Sequence, residues 1–125
     1  MATMTIRVLA KILDANSDQV GAEVLGSEEY TGGNFVVQQV SVADSTTDKL
    51  LDLGELAAAG VMRIYIESDQ DVTLTINSTS DTDNFLPAGQ AMVYHFASGS
   101  PETNFYVTNA SGSAATITIY AIGAA

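Results

Sequence analysis

The sequence predicts an all-β fold, an antiparallel sandwich or barrel of about eight or nine strands with at most one short helical turn. Period-two alternation is the first observation. Met62, Ile64 and Ile66 alternate with Arg63 and Tyr65, and Val72, Leu74 and Ile76 alternate with Thr73 and Thr75. That pattern marks strands with one face buried and one face wet. The polar stretch Ser68-Asp69-Gln70-Asp71 lies between them, so residues 61–77 read as a β-hairpin on which the rest packs. The second observation is that turn signals recur at about the 8–12-residue spacing of sandwiches and barrels. The third is composition. Charged residues are only 15% of the chain, against about 25% in typical domains. The polar surface must come from Ser, Thr, Asn and Gln, and these favour strands and turns over helices.

Taken in order, residues 3–13 alternate, with Met4, Ile6, Val8, Ala10 and Ile12 on one side and Thr3, Thr5, Arg7 and Lys11 on the other. They predict a strand or an extended arm within residues 1–13; a helical stripe through Ile6, Leu9 and Leu13 fits less well. Residues 14–18 read as a turn. Residues 20–30 read as a short strand and an acidic loop, closed by Gly32-Gly33. Phe35 to Ala43 is a clear strand, with Val36, Gln38, Val40 and Val42 on one face. A turn at 44–48 precedes a short strand at 50–53. Glu55 to Ala59 is the best helix-forming run, stopped by Gly60.

Beyond the central hairpin, residues 78–84 form a polar loop and Pro87-Ala88-Gly89 a turn. Residues 90–96 form a strand with Met92, Tyr94 and Phe96 on one face. A loop around Pro101 spans 97–104, and a short strand covers 105–108. A turn follows at 109–113. The final strand covers 115–122, with Ile117, Ile119 and Ala121 on one face. No repeat or linker interrupts the 125 residues, which predict a single domain.

Fifteen acidic residues against four basic ones give a net charge of −11. Arg7, Lys11, Lys49 and Arg63 are scattered and form no basic stripe, which excludes nucleic acid and an anionic membrane surface as partners. The chain has no cysteine, so disulfides, thiolate metal sites and cysteine nucleophiles are excluded. The first thirteen residues lack the apolar run of a signal peptide, and no window reaches bilayer-spanning length. A soluble protein made in the cytoplasm is the expectation.

No catalytic constellation is legible. His95 is the only histidine. It sits between Tyr94 and Phe96 in an alternating strand, without a nucleophile elbow, and reads as a surface or interface residue. Asp69, Asp71, Asp81 and Asp83 have Asp-x-Asp spacing and are the weak candidates for a Ca²⁺ site. The glycine and later glutamate of an EF-hand are missing, and Asp suits turns in any case. Asp52 and Glu67 are the carboxylates in apolar strands, without a sign of the burial a glycosidase pair needs. The sequons at Asn77 and Asn109 read as coincidence, and the five tyrosines as core or interface residues. No cofactor is expected.

The second half resembles small virion proteins of tailed bacteriophages, of the capsid decoration or cement type. Three phrases carry the resemblance: TTDKLLDLGEL at 46–56, IESDQDVTL at 66–74 and TNASGSAATIT at 108–118. It covers about residues 44–122. It implies a jelly-roll β-sandwich that assembles, often as a homotrimer, on the surface of an icosahedral virion, with the major capsid protein or another virion protein as partner. Head–tail connector, tail and baseplate proteins share this texture, so those positions stay open. A shell protein needs strand edges or arms to meet its neighbours. The expected contact strands are 4–12 and 115–122, with Met4, Ile6, Val8, Ile117 and Ile119 as interface residues. The alternative is a carbohydrate- or Ca²⁺-dependent binding module carrying its site on loops.

Overall fold

In a computed structural model, residues 2–97 and 99–124 are described. Ser98, within the loop expected at 97–104, lies outside the described residues, as do Met1 and Ala125. The described residues are all-β, with ten strands and one short helix. The strands are β1 (Ala2–Ala10), β2 (Val24–Gly32), β3 (Phe35–Val42), β4 (Thr46–Leu50), β5 (Val61–Ser68), β6 (Val72–Ile76), β7 (Asp83–Leu86), β8 (Ala91–His95), β9 (Phe105–Asn109) and β10 (Ala115–Gly123). The helix α1 (Leu56–Ala59) precedes β5.

Eight strands form two four-stranded antiparallel sheets, in the orders β3-β10-β5-β8 and β4-β9-β6-β7. Pairing is nested: β3 with β10, β4 with β9, β5 with β8 and β6 with β7. Strands β1 and β2 stand apart as a two-stranded sheet. The expected arm at 1–13 is therefore one strand of a hairpin that extends to Gly32.

The alternating residues of both sheets point into one core. Ile64, Ile66, Ile117 and Ile119 from the first sheet meet Leu74, Leu86, Phe105 and Val107 from the second, and all are at most 1% exposed. Asn109 closes one end between the sheets. Its buried amide nitrogen donates to the carbonyls of Val42, Ala43 and Ser113, at 3.0, 3.3 and 2.8 Å. A buried amide so satisfied carries no desolvation debt. At the other end Gly60 turns at φ +88°, where a side chain would also overlap Pro101.

The expected hairpin at 61–77 is not one. Strands β5 and β6 cover those residues, but they lie in different sheets and do not pair. The intervening turn ties itself to β10: Asp69 Oδ1 accepts from the Thr116 N–H at 2.7 Å. Both edges of β5 are occupied, by β10 and β8. Period two fixes which face of a strand is buried; it says nothing about which strand lies beside it.

Two strands sit where turns and loops were expected. Strand β4 begins at Thr46 inside the expected turn 44–48 and stops before Leu51, so the expected strand at 50–53 is displaced. A bulge at 47–48, where Asp48 has φ +47°, breaks its alternation. Strand β7 begins at Asp83, inside the expected polar loop. It is an edge strand of four residues, and such strands carry little pattern.

Strand β10 is paired on both edges, and Ile117 and Ile119 are fully buried. Their expected interface role is therefore corrected: they are core residues on a strand with no free edge. Ile119→Ala should cost about 2–5 kcal/mol of unfolding free energy, read by urea titration. A loss below about 0.5 kcal/mol, the range for surface positions, would contradict the placement.

Candidate interaction surface

The hairpin β1–β2 overhangs the outer face of the β3-β10-β5-β8 sheet. Paired residues of a hairpin share a face, so the sheet-facing side carries Met4 with Tyr30, Ile6 with Glu28 and Val8 with Gly26. Near its base the arm is seated: Met4, Ile6, Glu28 and Tyr30 are half-buried and Gly32 is buried. A Cβ on Gly32 would overlap the carbonyl oxygen of Gly123, so only glycine lets the arm and β10 approach this closely. The Gly33 N–H donates to the Ala124 carbonyl and the Gly123 N–H to the Asn34 carbonyl, both at 2.9 Å.

A polar latch holds the second strand. Arg63 Nε donates to Glu28 Oε1 at 2.6 Å, and its Nη1 donates to the Met62 and Phe96 carbonyls at 2.9 and 3.3 Å. Its guanidinium carbon lies 4.6 Å from the centre of the Tyr30 ring. A planar, multi-donor cation suits this combination of carboxylate, carbonyls and aromatic face. His95 Nδ1 stands 2.8 Å from the other oxygen, Glu28 Oε2, and forms an ion pair when the ring is protonated. The hydrogen bond from Arg63 is the chief influence holding the Glu28 carboxyl below its ordinary pKa, with the charges of His95 and Arg63 adding to it.

Towards the tip the arm loses all cover. Val8 and Leu9 on β1, Ile12, Leu13 and Val20 in the connection, and Val24 and Leu25 on β2 are all about half or more exposed. The face beneath is apolar as well. Its outward rows run Phe35, Ile122, Arg63, His95 and then Val37, Tyr120, Tyr65, Val93 across the four strands. Phe35, Val37 and Tyr120 are exposed. The Tyr65 and Tyr120 rings meet edge to face at 6.0 Å. Between β1 and this face lies a cleft of about 930 Å³. Of the twelve large hydrophobic side chains left exposed among the described residues, ten belong to the arm or this face. Seven of these lie on the arm and three on the face beneath it, a gathering unlike the singly scattered apolar residues of an ordinary surface.

Of the remaining expected interface residues, Met4 and Ile6 are half-buried against the molecule's own sheet and Val8 is exposed. The four candidate aspartates do not converge. Asp69 accepts from Thr116, Asp71 from the Ala88 N–H at 2.8 Å, Asp81 from Asn77 Nδ2 at 3.0 Å and Asp83 from Thr75 Oγ1 at 2.9 Å. Among the described residues no group of three or more His, Cys, Asp or Glu could hold a metal ion. Asp52 accepts from the Gly54 N–H, while Glu67 accepts from the Tyr65 hydroxyl at 2.7 Å, raising that tyrosine's pKa. Asn109 is buried and structural. Among the described residues no helix is long and apolar enough to cross a membrane.

Sequence reasoning missed the latch of Glu28, Arg63, His95 and Tyr30, whose members are far apart in the chain. It also missed the apolar outer face, although Phe35, Val36 and Val37 in succession put apolar residues on both sides of β3. No family model and no curated protein matches the chain.

Because the folded state lowers the Glu28 pKa, the latch's contribution is complete above the ordinary glutamate range and is lost as pH falls through the lowered value. A carboxyl NMR titration should place Glu28 below the ordinary value of 4.5. Arg63→Gln should move it upward. A Glu28 midpoint indifferent to Arg63→Gln would mean that the latch does not form.

Proposed function

We propose that this chain is a non-enzymatic structural virion protein of the capsid decoration type, which binds the head shell of a tailed phage and stabilises it. One observation carries the reading: exposed apolar surface is gathered on a projecting hairpin and the sheet face it overhangs. Such a surface suits docking against protein, and a protein bound only to the assembled shell stabilises it by mass action. The nested strand pairing supports a jelly-roll assignment, since a long hairpin wrapped into two sheets has this order. The loop carboxylates are taken up in hydrogen bonds that hold the turns, which leaves the loop-borne Ca²⁺ module without a favouring observation.

The partner in this reading is the major capsid protein, and the location is the virion surface. Co-expressed with the major capsid protein of the genome that encodes it, the chain should travel with assembled shells on a density gradient. Those shells should resist heating better than bare ones. Shells that sediment free of the chain would overturn the proposal.

A further inference from the structure

We propose that the arm tip of one copy fills the cleft of a second copy of this chain, so that the protein associates with itself arm to face. This deepens the assembly reading above and uses the same surface. Two uncovered features sit on one chain: an apolar ridge at the arm tip and an apolar cleft beside it. The arm walls its own cleft without filling it, and its base is fixed. Gly32 is packed backbone to backbone on Gly123, and Glu28 is latched to Arg63 and His95. A second copy supplies both missing halves at once.

The available area is sufficient. The ten apolar side chains on the arm and face are between 46% and 67% exposed. At about 150 Å² for each fully open side chain, the lower end of the aromatic range, they offer at most roughly 900 Å² per copy, against about 800 Å² per partner in a standard interface. A lone two-stranded hairpin is only marginally stable in water, which is a further reason for the tip to be covered.

The cations of the arm temper the charge in the same arrangement. Residues 34–125 hold ten acidic residues against two cations, Lys49 and Arg63, a net charge of −8. Arg63 is engaged by Glu28. The other two cations, Arg7 and Lys11, are on the arm, exposed, and in no ion pair among the described residues. Glu67 and Asp69 line the polar end of the receiving face, next to Gln39 and Thr118. The arm as a whole carries five acidic residues against these two cations, a net charge of −3, so apolar area favours the contact and only the cations at Arg7 and Lys11 offset its charge repulsion. The contact joins two different surfaces, so it closes as a reciprocal pair or a ring, or runs on as an open filament where the rotation does not close.

The chain has no cysteine, which allows a clean test at two exposed positions. Val8→Cys marks the arm and Val37→Cys marks the face. Each single variant is purified, and the two are mixed under mild oxidation. The expected result is a disulfide-linked pair containing one of each, far above the linkage either variant gives alone. Light scattering of the unmodified full chain should give a multiple of 13.0 kDa, and Arg7→Glu with Lys11→Glu should shift it towards the single-copy mass. A single-copy mass at high micromolar concentration without mixed linkage overturns the proposal. Linkage only between like variants, arm to arm or face to face, also overturns it. Self-association is measured here without shells, so it stands or falls separately from shell binding.

Discussion

The double-edged pairing of β10 is the constraint on which the rest depends. It is the last strand in the chain, and it is inserted between β3 and β5 with hydrogen bonds on both sides. Its inward residues Ile117, Ile119 and Ala121 fill the centre of the core. Its outward residues Tyr120 and Ile122 form the middle of the apolar face, and its terminal Gly123 is the surface on which Gly32 seats the arm. Core, face and arm therefore share one strand. Bridging residues as far apart as Gln39 and Thr118, it closes the fold by a non-local step, the kind that pays loop-closure entropy before any contact repays it.

Much of the fold was legible because burial in a sheet imprints period two on the sequence. The inward sets on β3, β5, β8 and β10 follow directly from alternation, and the stop at Gly60 from backbone conformation. Strand partnership was not legible. Residues 61–77 look like a hairpin because two alternating segments flank a polar turn, yet the polar groups of that turn bond to Thr116 and Ala88 instead of closing a ladder. Nor was edge distinguishable from centre. Ile117 and Ile119 alternate as an exposed assembly strand would, and only the two neighbours of β10 show them to be core.

The interaction surface was half legible. Alternation in residues 3–12 indicated a strand with an apolar side, and Val8 is where that side leaves cover. Its partner β2 carries Gly26, Ser27, Glu28 and Glu29, poor strand formers in isolation, and is held in the extended state by β1. The latch could not be read because Glu28, Arg63 and His95 converge only after three strands from two sheets are placed.

The arm and the acidic body make different physical demands that fit together. A body with a net charge of −8 repels its own kind, and that repulsion reaches only about 8–10 Å at physiological salt. It keeps dilute copies apart without specifying how they meet. Apolar contact acts at shorter range and depends on matched area, and here much of that area lies on a hairpin carrying two of the four cations and five of the fifteen acidic residues. Long-range charge and short-range apolar area are thus divided between body and arm on one chain. The acidic turns serve the fold itself, since their carboxylates bind backbone N–H groups at Thr116, Ala88 and Gly112. With the loop carboxylates taken up by the fold, the apolar hairpin and its facing sheet are where most of the exposed large hydrophobic side chains among the described residues gather.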